Sequence, residues 1–155
     1  MTGDGSRRQV LYLDTSVFSA YYDERVPARS KETRAFFGRF ESFRVLTSDL
    51  VRWEISGVQD PVRRQSLHDL TLNLEVAVET EEAEGLSREY LDANIFTERY
   101  DVDARHVAIA TSAGADFVVS WNFRHLVRVK TRREVNLVNA LKGFRSIEIV
   151  APSEL

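Results

Sequence analysis

The chain has 155 residues, the size of one ordinary domain and enough to bury a real core. Hydrophobic residues make up 43% and charged residues 29%, and the formal net charge of −3 excludes a protein that coats nucleic acid through bulk positive charge. Cysteine is absent, which excludes disulfide frameworks and thiolate metal sites and suits a reducing cytoplasm, the expected location.

Residues 1–9 are polar and lack the apolar core of a signal peptide, so they read as a flexible lead-in to a single domain over residues 10–155. No apolar run approaches the roughly 20 residues that cross a bilayer, and no membrane partner is expected. Val10, Leu11, Tyr12 and Leu13 form a short apolar run ending at Asp14, the pattern of a buried strand. Thr15 and Ser16 can cap a helix that follows at once. Pro27 opens a second helical stretch over residues 28–40, and residues 43–46 read as the next strand. Thr47, Ser48 or Asp49 then caps a helix running to Gly57, and Asp60-Pro61 starts another.

Residues 74–78 read as a third strand and 79–93 as an acidic helix interrupted by Gly85. A helix over 102–112 closes at Gly114, with Asp101 available to cap it, and a strand follows over 117–119. The last elements are an amphipathic helix over 131–141, closed by Gly143, and a strand over 147–150. Strands separated by helices predict a three-layer α/β/α sandwich around a mainly parallel sheet.

In such a sheet, ligands bind beyond the carboxyl ends of the strands. Asp14 stands at one such end, where it serves either as a carboxylate delivered to the rim or as a helix cap. Glu54 falls within the apolar stripe of Leu50, Val51, Ile55 and Val58, and a carboxylate there needs a cation or hydrogen-bond donors to offset its desolvation. Asp103 opens a helix whose buried face runs through Val107 and Ala110, although an acid in a first turn is also favoured by the helix dipole. Asn122, in Ser120-Trp121-Asn122 after a strand, brings an amide to the same rim. Together these form an all-oxygen set, which suits a hard cation such as Mg²⁺ or Mn²⁺ and the hydrolysis of phosphodiesters. The histidines (His68, His106 and His125) are too scattered for a zinc site, and His106 reads as an ordinary helix residue.

These segments also carry a resemblance. Val10-Leu11-Tyr12-Leu13-Asp14-Thr15-Ser16-Val17 resembles the first strand of PIN domains, whose Asp-Thr-Asn/Ser step holds the first catalytic acid. Ser48-Asp49-Leu50-Val51-Arg52-Trp53-Glu54-Ile55 resembles the segment with the second, and Asp103-Ala104-Arg105-His106-Val107-Ala108-Ile109-Ala110 looks like the third motif. Ser120-Trp121-Asn122-Phe123-Arg124-His125 looks like the fourth, in a VapC-like subgroup where Trp-Asn-Phe replaces the usual acid. The resemblance implies a Mg²⁺- or Mn²⁺-dependent endoribonuclease cutting single-stranded RNA, a cognate antitoxin partner and a homodimer. It implies catalytic roles for Asp14, Glu54, Asp103 and Asn122, with the metal held by Asp14, Asp103 and Glu54. With Asn122 in place of an acid, one metal or a loosely bound second one is expected.

For substrate contact, the basic run with Arg124, Arg128 and Lys130 follows the fourth motif directly, and Thr15 and Ser16 are candidates to position a phosphate. The competing reading is a PIN-like module that binds nucleic acid or an antitoxin with little catalysis. A phosphohydrolase with Asp14 as nucleophile would need a second aspartate where this chain has Ser16, and no glycine-rich turn marks a dinucleotide site. Asp116 precedes its strand and is a poor replacement for the missing acid. The aromatics Tyr21, Tyr22, Phe36, Phe37 and Trp53 are expected mostly in the core.

Overall fold

Four consecutive apolar residues that are all buried make a strand covered on both faces, and β1 (Val10–Leu13) is such a strand. The computed structural model describes residues 7–155, so the first six positions of the expected lead-in lie outside the described residues. Arg7, Arg8 and Gln9 are exposed and carry no regular structure. The other strands are β2 (Arg44–Ser48), β3 (Glu75–Ala77), β4 (Phe117–Val119) and β5 (Glu148–Val150). All pair in parallel in the order β3-β2-β1-β4-β5, with Tyr12 opposite Leu46 on one side and Val118 on the other.

Alternation along β1 divides the interior into two cores. Val10 and Tyr12 face a cluster with Tyr90, Val107, Ile109, Val135 and Ile149, supplied largely by α5 (Glu81–Asp92), α6 (Asp101–Ser112) and α7 (Val129–Leu141). Leu11 and Leu13 face Val17, Phe18, Phe36, Val51, Ile55 and Leu67. That side is supplied by α1 (Thr15–Tyr21), α2 (Pro27–Phe37), α3 (Asp49–Ser56) and α4 (Pro61–Thr71). Each fully buried Leu, Ile or Phe contributes about 1.5–3 kcal/mol of hydrophobic stabilisation, which is what fixes helices on both faces of the sheet. This is the three-layer parallel architecture that the strand–helix alternation predicts.

Several local expectations are corrected. The cap of α1 is Asp14 rather than Thr15 or Ser16, because the backbone is still extended at Asp14 (φ −76°, ψ 173°) and its side chain accepts from Ser16 N–H. No side chain caps α6: a 3-10 turn over Glu98–Tyr100 runs straight into it, which places Asp101 inside the first turn. Helix α2 stops at Phe37, where Gly38 and a second 3-10 turn take over. Gly85 does not interrupt α5, because it lies on the exposed face with open space around it and keeps helical geometry. Trp53 is 65% exposed on the face of α3 opposite Leu50, Val51 and Ile55, while Phe36 is fully buried and Tyr21, Tyr22 and Phe37 are half-buried.

Candidate active site

Because every strand runs the same way, their carboxyl ends share one rim, and Asp14, Ser48 and Ser120 arrive there from β1, β2 and β4. Asp14 is buried and its carboxylate is fully engaged. Oδ1 accepts from Ser16 N–H at 3.1 Å and Ser16 Oγ–H at 2.5 Å, and Oδ2 accepts from Ser120 Oγ–H at 2.5 Å. Burial pushes the Asp14 carboxyl above its usual range, although His106 and the two serine hydroxyls pull the other way. Ser16 Oγ in turn accepts from Trp121 N–H at 2.9 Å, which ties the first and fourth motifs together.

Glu54 comes from α3. Its Oε1 accepts from Thr15 Oγ–H at 2.6 Å and from the ring of His106 at 2.6 Å. Burial raises the Glu54 carboxyl, but hydrogen bonding and attraction from His106, with help from Thr15 and Arg105, bring it below its ordinary value. His106 is 2% exposed, and its Nδ1 lies 2.7 Å from Tyr12 Oη, which lies 2.8 Å from Ser48 Oγ. Burial holds the Tyr12 hydroxyl well above its ordinary range, and the nearby Asp14, Glu54 and Asp49 raise it further, so it stays protonated.

Asp103, in the first turn of α6, is the least compensated acid. Burial and the charges of Asp14 and Glu54 push its carboxyl up to about 6, against the pull of His106 and a hydrogen bond from Asn122. Asn122 turns its amide nitrogen to Asp103 Oδ2 at 3.4 Å and its carbonyl to His125 N–H at 3.0 Å. Its carbonyl thus holds the turn after β4. Asp116 accepts from Val10 N–H at 2.8 Å at the opposite end of the sheet, away from this rim, as its place before β4 anticipates.

Thr15 and Ser16, expected as phosphate contacts, lie at the rim and donate their hydroxyls to Glu54 and Asp14. Arg124, Arg128 and Lys130 are exposed, and Arg128 donates to Arg124 O at 2.9 Å. His106, Tyr12, Ser48 and Ser120 belong to the site without being among the residues expected to act there. His106 has no zinc-ligand spacing, and the signal for it in the sequence is its place three residues after Asp103 on one helix.

Among the described residues, no three His, Cys, Asp or Glu side chains stand close enough to enclose a metal ion. The donor set nonetheless fits a hard cation. It is built of oxygens, and burial together with the charges of Asp14 and Glu54 raises the Asp103 carboxyl, which a cation would offset. No helix among the described residues is long and apolar enough to cross a membrane.

Solved structures share this architecture. VapBC2 from Rickettsia felis, bound to a DNA fragment from its promoter, matches with a TM-score of 0.57 over 92% of this chain and 98% of that chain, at 13% identity. The chain has the PIN-domain fold of VapC toxins. VapC20 from Mycobacterium tuberculosis, described as a Sarcin-Ricin loop cleaving toxin, matches with a TM-score of 0.57 over 88% of this chain and 98% of the other, at 17% identity. At these identities the likeness to VapC is one of fold. No family model matches the sequence, and no curated protein does.

Proposed function

We propose that the rim is the active site of a divalent-metal-dependent endoribonuclease for single-stranded RNA, the toxin of a type II toxin–antitoxin pair. The observation that carries this reading is three carboxylates, Asp14, Glu54 and Asp103, sharing the carboxyl-end rim of a VapC fold, where burial and the charges of the other two raise Asp103 to about 6. Asp14, Asp103 and Glu54 are the residues that would hold Mg²⁺ or Mn²⁺, which when bound supplies an activated water and charge stabilisation at a phosphodiester.

The chain's own residues supply the positioning. Ser16 and Ser120 fix the Asp14 carboxylate, Thr15 fixes Glu54, and Asn122 keeps the turn beside Asp103 in place. Arg124, Arg128 and Lys130 extend outward from that turn as contacts for RNA phosphates. Changing Arg128 and Lys130 to Gln should weaken RNA binding and flatten its salt dependence by up to about two phosphate contacts. An unchanged slope of log K against log[salt] removes these two side chains from the interface.

The decisive test is cleavage of a mixed single-stranded RNA pool by the purified protein with Mg²⁺ or Mn²⁺ and with chelator. Cutting that chelator stops supports the nuclease. RNA bound but left intact by folded, metal-supplied protein makes the chain a binding module instead.

The partners proposed are an antitoxin and a second copy of the chain. Exposed Trp53, Val62 and Leu72 on and beside α3 and α4 offer apolar area for such contacts. Light scattering at micromolar concentration should give about twice 17.8 kDa, and a single-chain mass removes the homodimer.

A further inference from the structure

One buried side chain at the rim, His106 of α6, reaches both α3 and β1. His106 contacts Glu54 with one ring nitrogen and Tyr12 with the other, and Tyr12 reaches on to Ser48. Ser48 Oγ accepts from Val51 N–H at 3.1 Å and shares a proton with Tyr12 Oη at 2.8 Å. The ionised Glu54 carboxylate can only accept, so Nε2 of His106 carries a proton and donates it to Oε1, while Nδ1 and Tyr12 Oη share the hydrogen bond on the other side of the ring.

The far end of the chain has a consequence for Glu54. Oε1 takes two donors, Nε2–H of His106 and Oγ–H of Thr15, both at 2.6 Å, whereas Oε2 takes none from the described residues. His106 also sits on α6 three residues beyond Asp103, so the chain locks α3 to the helix that carries the other acid. Resting on the metal-dependent reading above, we infer that His106 is a positioning residue, held by Tyr12 and Ser48, that fixes the orientation of the Glu54 carboxylate and leaves Oε2 as the oxygen that would be open to a cation. A ligating carboxylate that is itself hydrogen-bonded has its direction set before the metal arrives, and such outer partners are commonly worth about 10- to 100-fold in metal affinity.

The test uses Mn²⁺ calorimetry on RNA-free full-length protein, with His106→Leu, His106→Gln and Tyr12→Phe beside the wild type, and circular dichroism to check folding. His106→Leu should weaken Mn²⁺ binding about 10- to 100-fold. His106→Gln, which restores an N–H toward Glu54, should recover most of that loss, and Tyr12→Phe should fall between wild type and His106→Leu. In ¹⁵N-labelled metal-free protein, His106 should show a protected Nε2–H signal that Glu54→Ala removes. Folded His106→Leu with wild-type Mn²⁺ affinity, His106→Gln no better than His106→Leu, or an Nε2 without its proton each overturns the inference while leaving the nuclease reading intact. Wild-type protein that shows the Nε2–H signal yet binds no Mn²⁺ and cuts no RNA overturns the nuclease reading, and the role of Glu54 with it.

Discussion

Asp14→Asn should reduce RNA cleavage on the order of 10³-fold while leaving the protein folded, because it removes charge from the rim and little else. Asp14 is 4% exposed, caps α1 and binds two serine hydroxyls, so truncating it to Ala would strand Ser16 and Ser120 as well. Asparagine keeps an oxygen for the Ser16 N–H, and its amide can donate to Ser120 once that hydroxyl rotates. The substitution therefore separates the chemical role of the carboxylate from its structural one. Single-turnover cleavage with Mn²⁺, beside a thermal melt, reads both. A melt like the wild type's with full cleavage would show that the activity arises elsewhere or from a contaminant.

Asp103→Asn should do something less common for a site residue: abolish cleavage and raise stability above about pH 6 in metal-free protein. The Asp103 carboxyl titrates near 6 in the folded chain and near 3.8 as an ordinary aspartate. Between those values the folded state keeps a proton that the unfolded state has released, so stability falls as pH rises through this window. The full cost is present above 6 and absent below about 4. Removing it should stabilise the protein by about 1–3 kcal/mol, or roughly 2–4 °C in melting temperature per kcal/mol. Melts in chelator at pH 4 and pH 8 decide it. Equal gains at both values would trace the effect to packing, and a loss at pH 8 would show that Asp103 is compensated in the folded state. Saturating Mn²⁺ should stabilise the wild type and leave the variant unmoved, since a ligand stabilises only the state that binds it.

The strand–helix alternation and the acids were legible because each rests on local chemistry. Four apolar residues halted by Asp14 announce a buried strand and its exit, and Glu54 inside an apolar stripe announces a carboxylate that needs a partner. What could not be read was the identity of that partner. Contacts of His106 with Tyr12 and Glu54 bridge 94 and 52 residues, and no periodicity within one helix encodes them. The same holds for Ser120, whose hydroxyl meets Asp14 only because β4 pairs beside β1. Errors at helix starts have a different origin. Both Asp14 and Ser16 are good caps by residue type, and only the dihedral angles at the strand exit decide between them. Trp53 misled because α3 is short, with a buried face of three residues, and the tryptophan falls on the opposite side.

The bond from Ser120 to Asp14 spans 106 residues, with the first strand at the centre of the sheet and its neighbour β4 near the end of the chain. At about 5–20 residues per second, a ribosome takes on the order of 5–20 s to progress from one residue to the other. During that interval Asp14 lacks Ser120, and the rim also lacks Asn122 and its turn. Asp103 and His106 are themselves made only shortly before. Whatever chemistry this rim performs, a growing chain cannot perform it, and the interval gives a co-translated partner time to be present before the site exists.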